Sequence, residues 1–502
     1  MDNERLKRHV MLAFVVVSSM FSIAYMSYIT ITVFTNPLEI ALSYIFVCLV
    51  VIAAAFNFVG ISYYYDSIYT HDLPPKKKMR GTPSVAIVVA SYNEEPAMVE
   101  RTLKSLQKMD YPKDRLKFYL LDDSTDANAV ARLQTSCKRL GATMMHRSER
   151  KDFKAGALNA FLEVSDEEYV ALFDADERLV DAGFVKDLLP YFAADEKLAL
   201  VQTIKKTAPG SVFADAVDET YGFFSKFIQP IRSEDKMAMF QGSGGMLRAA
   251  LVRKAGGFPA SLTEDTAMSM QADFAGFHGI FVPKAYVLGR PIEKFSTFVA
   301  QQNRYSYGNA RLSGDYLANW KRLPSRKRMH YFTQVFGLQY VSAVYVLFAV
   351  LTVAFATLGI SQVIFSGSAF WKYAPRVAFA DLFPMFMTLI SFLLISTCFF
   401  SSFRKGAIGF FLNFAVAIVR MKAVFNSLRG KSMPFVVANR GLRGKRSIAK
   451  AVHATASESS FAAALLLFSA ASLLHADVIS CMWLAYYSLL FFSAPLFAYL
   501  QG

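Results

Sequence analysis

The chain has 502 residues, 54% of them hydrophobic, with 46 Phe and a formal net charge of +15. That hydrophobic share exceeds ordinary soluble usage and points to membrane spans, and the length allows more than one domain. The basic residues cluster beside the apolar blocks, where the positive-inside rule puts them, so the charge calls for no nucleic-acid partner. Four Cys without a CxxC pair and seven His without HExxH support neither a disulfide framework nor a zinc site.

Apolar runs at 11–34 and 40–62 are long enough to span a bilayer. The first is long for a signal-peptide core and has no small-residue cleavage site after it, so it reads as a retained span. The turn Thr35-Asn36-Pro37 has no Lys or Arg. Arg5, Lys7 and Arg8 precede the hairpin, and Lys76, Lys77, Lys78 and Arg80 follow it. Residues 1–66 are therefore expected to form an outward-dipping hairpin, with residues 80–330 cytoplasmic. Later runs lie at 332–361, 378–401, 406–425, 460–475 and 478–500. If 406–425 crossed, the basic stretch Arg429 to Lys450 would lie outside, and Arg420 and Lys422 interrupt its end. It reads instead as an interfacial or re-entrant helix, which leaves six spans with both termini inside.

Between the hairpins, strands alternate with helices. Val85-Ala86-Ile87-Val88-Val89-Ala90 is a fully apolar strand, followed by a helix from about 95 to 108. Phe118–Leu121 and Tyr169–Phe173 are further strands of the same kind. Apolar strands alternating with helices predict a doubly wound α/β domain, over 80–290. Ligands of such sheets bind beyond the strand carboxyl ends. Asp122-Asp123 and Asp174-Ala175-Asp176 stand at two such ends, so topology brings both acidic pairs to one crevice.

Each motif has a plain structural reading beside a chemical one. Ser91-Tyr92-Asn93-Glu94 follows the first strand and could simply cap a helix. Asp122-Asp123-Ser124 could cap the next helix, although two adjacent carboxylates exceed what one cap needs. Lys154 starts a helix and could be an ordinary solvated lysine or a phosphate neighbour. Asp174 and Asp176 supply hard oxygens of the kind that hold a divalent ion together with a diphosphate. Gly242-Ser243-Gly244-Gly245 permits close backbone approach to a ligand and lacks the GK[ST] of a P-loop. Thr263-Glu264-Asp265 opens a helix that Thr263 could cap. Gln301, Arg304 and Tyr305 share one helix face.

In this order, DD, KAGxLN (here Lys154–Asn159), DxD, the glycine segment, TED and QxxR(Y) resemble the membrane-embedded family 2 glycosyltransferases that build polysaccharides, in particular cellulose and mannan synthases. The resemblance implies a GT-A-type α/β domain, a doubly wound mixed sheet, set between membrane helices. It implies nucleotide-sugar contacts at Ser91, Tyr92, Glu94, Asp123, Lys154 and Asp174, and a Mg2+ or Mn2+ ligand at Asp176. Gly242, Ser243, Glu264, Gln301, Arg304 and Tyr305 would serve the acceptor and the diphosphate. Asp265, in preference to Glu264, would be the general base. Tyr305 stands where the family has Trp, and Ser243 where it has Thr. Phe435-Val436-Val437-Ala438-Asn439-Arg440 resembles the family's gating loop, with Phe435 and Arg440 the matching positions and Ala438 replacing its Thr.

Residues 291–330 would then be interfacial helices carrying QxxRY, 331–402 a second hairpin, 403–457 the interfacial helix and gating-like loop, and 458–502 a C-terminal hairpin. The expected function is inverting, processive transfer from a nucleotide-diphosphate sugar to a growing glycan at the plasma membrane, with the catalytic domain cytoplasmic and membrane lipids around the spans. The alternative is transfer of one sugar to a polyprenyl or other lipid acceptor. A transporter is disfavoured, because Asp381 is nearly the only ionisable residue in the predicted spans.

Overall fold

The computed structural model describes residues 3–32, 36–66, 73–358, 399–431, 433, 447–475 and 477–501. Among these, ten strands form two sheets: β1 (Val85–Ser91), β2 (Leu116–Asp122), β3 (Thr143–His146), β4 (Tyr169–Asp174), β5 (Arg178–Leu179), β6 (Leu198–Thr203), β7 (Lys206–Thr207), β8 (Gly245–Arg248), β9 (His278–Val282) and β10 (Val287–Gly289). The large sheet has the order β3-β2-β1-β4-β8-β6-β9, and the small one β5-β10-β7. In the large sheet β8 runs antiparallel to β4 and β6, while the other pairs are parallel. This is the expected doubly wound mixed sheet.

The apolar strands are buried on both faces. Val85, Ile87 and Val89 enter one hydrophobic layer, whereas Ala86 and Val88 enter the other. Tyr169, Ala171 and Phe173 divide from Val170 and Leu172 in the same way. Each buried Val, Ile, Leu or Phe among them contributes about 1.5–3 kcal/mol relative to exposure, which stabilises the central strands. Their parallel register then sets the crevice. Ser91 pairs with Asp122, and Ala90 pairs with Asp174, so three strand ends finish at one level.

Helix ends agree with local chemistry. Pro96 opens the helix Pro96–Leu106, where its missing N–H costs nothing. Asp126 caps the helix Ala127–Leu140 through Asn128 N at 2.9 Å, and Gly141 closes it at φ +63°. The cap is thus Asp126, which leaves Asp122 and Asp123 free of that duty. Thr263 makes no side-chain cap to the helix Glu264–Phe274, against the simple capping reading of that motif.

Among the described residues, four helices are long and apolar enough to cross a membrane: Pro37–Asp66, Phe403–Leu428, Ala456–Leu474 and Ser480–Leu500. Shorter apolar helices lie at Arg8–Phe21 and Ser342–Thr357. The expected span at 378–401 falls almost wholly outside the described residues. The run at 332–361 is divided by Gly337, which separates the helix Ser325–Phe336 from Leu338–Thr357. The stretch read as interfacial, 406–425, lies in one of the four candidate spans by length and composition, and that helix is broken at Val416. Its halves pack on the helix Phe295–Arg311 through a cluster that includes Phe295, Phe298, Leu412 and Val416.

Candidate active site

The crevice begins at the ends of β1 and β2. Ser91 is buried, and its Oγ has no hydrogen-bond partner among the described residues. Asn93 takes up φ +51°, a backbone region in which Asn is among the commoner non-glycine residues. In that turn Asn93 N donates to Ser124 Oγ at 2.8 Å, and Thr125 N donates to Asn93 Oδ1 at 2.9 Å. The Ser91–Glu94 turn is thereby locked to the turn after β2. Tyr92 lies under the Arg150 guanidinium, 3.5 Å from the ring centroid. Glu94 is half-buried at the same edge.

The two adjacent aspartates differ. Asp122 is fully buried and accepts from Ser124 Oγ at 2.7 Å and pairs with His146 Nδ1 at 2.9 Å, so it organises the turn. Asp123 receives a two-pronged contact from Arg147, Nε at 2.8 Å and NH2 at 2.7 Å. Fork-to-carboxylate pairing of this kind is strong and fixes orientation.

Further in, Asp174 at the end of β4 sits between two ammonium groups. Lys154 Nζ donates to Asp174 Oδ1 at 2.8 Å and to Gly242 O at 2.8 Å. Lys205 Nζ donates to Asp174 Oδ2 at 3.1 Å and to Gln241 O at 3.3 Å. Burial disfavours the Asp174 charge, but the two lysines outweigh it and hold the carboxyl well below its usual range. Behind it, Glu177 accepts from Asp174 N at 3.0 Å and from Ser243 Oγ at 2.7 Å. Burial, reinforced by the Asp174 charge, pushes Glu177 up to about 7.

Asp176 is exposed and has no ion pair among the described residues. No group of three His, Cys, Asp or Glu able to cage a metal occurs among the described residues. Two strand-end carboxylates with open positions nevertheless fit a divalent ion that shares its ligands with a diphosphate, as such ions commonly do. The donor set therefore suits a divalent ion whose remaining ligands come from a bound substrate and does not suit a permanent structural metal.

The glycine segment brings the second half of the crevice close. Gly242 and Gly244 have φ +82° and +63°. A Cβ on Gly242 would stand 3.4 Å from Asp265 Oδ2 and 3.9 Å from Lys154 Nζ. Asp265, Lys154 and Asp174 thus gather around one backbone carbonyl. Asp265 Oδ1 accepts from Thr266 N at 2.7 Å, which steers Oδ2 toward the crevice. Burial raises both Glu264 and Asp265, and for Glu264 the Asp265 charge adds to the rise, carrying it to about 7. Two acids this close titrate as a unit.

The helix Phe295–Arg311 closes the site. It meets the Thr263 turn at Gly308, where a Cβ would come within 2.5 Å of the Thr263 side chain. Arg304 is half-buried, and although burial opposes its charge, Tyr305, Glu264 and Asp265 keep it charged. Gln301 Oε1 accepts from Tyr221 OH at 3.0 Å, and the Tyr221 and Tyr305 rings meet edge-on with centroids 6.3 Å apart.

Lys154, Asp174, Gly242 and Asp265 are thus brought together, the Ser91–Glu94 turn is joined to the turn after β2, and Gln301 and Tyr305 meet at Tyr221, while Phe435 and Arg440 lie outside the described residues. Reading the sequence by motif missed Arg147, Arg150, Glu177, Lys205 and Tyr221. A signal for two of them was present: Arg147 and Lys205 stand just beyond the carboxyl ends of β3 and β6, the position from which parallel strands deliver ligand contacts.

A model of the glycosyl transferase family group 2 matches residues 169–412. The chain is 28% identical over 237 residues to the cellulose synthase catalytic subunit (UDP-forming) of Pseudomonas fluorescens (strain SBW25), covering 46% of this chain and 31% of that protein. It is 30% identical over 287 residues to cellulose synthase 2 of Novacetimonas hansenii, 54% of this chain and 17% of that one. It is also 28% identical over 295 residues to glucomannan 4-beta-mannosyltransferase 1 of Cyamopsis tetragonoloba, 53% of each. The chain spans about half or less of the length of these relatives. Among solved structures, a mannosyltransferase from Pyrobaculum calidifontis in complex with GDP-Man and Mn2+ shares the fold. Its TM-score is 0.55 at 19% identity, over 76% of this chain and 99% of that one. The family match runs from the start of β4 through the DxD, glycine, TED and QxxRY residues into the apolar helices, and together with these relatives it supports a family 2 glycosyltransferase of the cellulose synthase-like group.

Proposed function

We propose that this protein transfers sugar from a nucleotide-diphosphate donor to a growing glycan by single displacement with inversion, and passes the product across the membrane. The carrying observation is the meeting of Asp265 Oδ2 and Lys154 Nζ at Gly242, beside Asp174. One carboxylate able to take a proton faces the cations that would meet a diphosphate.

In this reading the nucleoside sits against the Ser91–Glu94 turn and Asp123, so that Arg147 and Arg150 give way or re-pair. The diphosphate is met by Lys154, Lys205 and Arg304. Asp265 accepts the proton of the acceptor hydroxyl as its oxygen bonds to the anomeric carbon and the bond to the diphosphate breaks. A positioned base of this kind contributes about 10²- to 10⁴-fold. Asp176 would hold Mg2+ or Mn2+, which would act as a Lewis acid on the leaving diphosphate, with Asp174 beside it toward the nucleotide sugar. Tyr305 offers the acceptor sugar a ring, and Gln301 a hydrogen bond.

The catalytic domain, over 80–290, would face the cytoplasm of the cell membrane, with the hairpins at 1–66, 331–402 and 458–502 embedded and 403–457 carrying the gating-like loop. Charge distribution and the long apolar helices Pro37–Asp66, Ala456–Leu474 and Ser480–Leu500 support that placement. The test is incubation of the purified protein in lipid with Mn2+ or Mg2+ and a panel of labelled nucleotide sugars, with products sized on a gel. High-molecular-weight glycan from one donor is expected. Label confined to a lipid-sized product would instead establish transfer of a single sugar to a lipid acceptor.

A further inference from the structure

One buried charge outside the crevice has no opposite charge to meet it among the described residues. Arg420, on the helix Ala417–Leu428, is 1% exposed. Its guanidinium donates to Gln302 Oε1 through Nε at 2.9 Å and NH2 at 2.6 Å, to Ser342 Oγ at 3.3 Å and to Asn413 Oδ1 at 3.2 Å. All of these acceptors are neutral, and among the described residues no carboxylate pairs with it. Burying a guanidinium against neutral partners costs free energy that an apolar side chain would not. A feature kept at such a cost calls for a reason beyond packing.

The neighbouring bonds supply one. Gln302 uses its oxygen for Arg420 and its Nε2 to donate to Tyr221 OH at 2.9 Å. Tyr221 OH in turn donates to Gln301 Oε1 at 3.0 Å, and its ring meets Tyr305 edge-on and Phe298 at 6.0 Å. The chain of contacts thus runs from a candidate membrane span through Gln302 and Tyr221 to the first and last residues of QxxRY. Every step has a defined direction. The Arg420 charge fixes which end of the Gln302 amide is oxygen; that fixes Gln302 as donor to Tyr221; and that obliges the tyrosine to spend its own proton on Gln301. Polarised in this way, consecutive bonds strengthen one another.

We propose that Arg420 is a positioning residue for the acceptor: through Gln302 and Tyr221 it orients Gln301 and Tyr305, and so ties acceptor geometry to the membrane layer. This rests on the reading of the Gln301–Tyr305 face as the acceptor end. Arg420 touches neither donor nor acceptor and acts only through the helix Phe295–Arg311. Its loss is therefore expected to fall on acceptor binding and product length and to spare donor binding.

The experiment uses the full-length protein in lipid, with UDP-glucose and cellohexaose or GDP-mannose and mannohexaose, whichever pair the wild type uses. Arg420→Met, Arg420→Lys and Tyr221→Phe are compared. Tyr221→Phe keeps the ring and the buried cation and removes only the hydroxyl, so it carries the test if Arg420→Met does not fold. Acceptor KM is expected to rise about 5- to 20-fold in Arg420→Met and Tyr221→Phe, as for loss of one or two buried hydrogen bonds. Donor KM should stay within twofold, products should shorten, and Arg420→Lys should recover part of the loss. Unchanged acceptor KM and product length in folded variants, or equal losses of donor and acceptor binding, would overturn the proposal. A wild type that transfers no sugar to any acceptor would overturn the reading beneath it, a different outcome from either of these.

Discussion

At the proposed donor end, carboxylates are matched by cations of the same chain: Asp123 by Arg147, and Asp174 by Lys154 and Lys205. At the proposed acceptor end, Gln301, Gln302 and Tyr221 are joined by neutral hydrogen bonds, with rings alongside. The contrast follows the chemistry each end would handle. A nucleotide diphosphate is anionic and must be exchanged at every turnover, so cations that can trade an internal carboxylate for a phosphate suit it. A sugar chain is uncharged, and amides and aromatic faces hold it without the desolvation cost of an ion. Glu264 and Asp265 stand between the two ends, where burial raises both acids.

The largest effect that would sharpen this contrast is expected at Lys205. Lys205→Ala removes one of the two cations on Asp174, and turnover at saturating donor should fall about 10²- to 10³-fold, as for loss of a group that stabilises developing charge. Wild-type turnover from Lys205→Ala would reduce that lysine to a structural partner of Asp174. Next comes the metal. A chelator should abolish transfer, Mn2+ or Mg2+ should restore it, and Asp176→Ala should lose that restoration; metal-independent transfer by the wild type would sink the DxD assignment.

A change in pH should then act on the acid pair between the two ends. Because burial raises both Glu264 and Asp265, and the Asp265 charge adds to the rise at Glu264, the base form is lost as pH falls through a range above that of ordinary carboxylates. The acid limb of kcat/KM is therefore displaced upward in the wild type. Glu264→Gln removes the like charge beside Asp265 and should move that limb to lower pH; a limb that stays in place would uncouple the pair. The smallest change is expected at the acceptor ring. Tyr305→Trp should keep or lengthen products, with an effect of a few-fold at most on acceptor KM, the scale of one aromatic contact.

Most of the crevice was legible because it follows from local pattern and one topological rule. Val85–Ala90 and Tyr169–Phe173 are apolar without interruption, which reads as buried parallel strands, and their ends had to converge. The pairings were not legible. Lys205 reaches Asp174 because β8 inserts between β4 and β6 and brings the Gln241–Ser243 backbone with it, an order that no local pattern encodes. Tyr221 and Arg420 reach the QxxRY helix from elements 80 and 118 residues distant in sequence. In an apolar run Arg420 reads as an interruption that argues for an interfacial helix, whereas in the fold its charge is spent on Gln302. The breaks at Gly337 and Val416 likewise divide runs that look continuous by hydropathy alone.

The most direct test is a paired measurement on Asp265→Asn. Nucleotide binding in the presence of Mn2+ and sugar transfer are measured on the same preparation as the wild type. Binding within a few-fold of the wild type, with transfer reduced about 10²- to 10⁴-fold, is the result expected of a base that acts on the acceptor hydroxyl alone. Loss of nucleotide binding along with transfer, or transfer that survives the substitution, would contradict a single crevice in which Asp265 activates the acceptor while Lys154, Lys205 and Arg304 hold the leaving diphosphate.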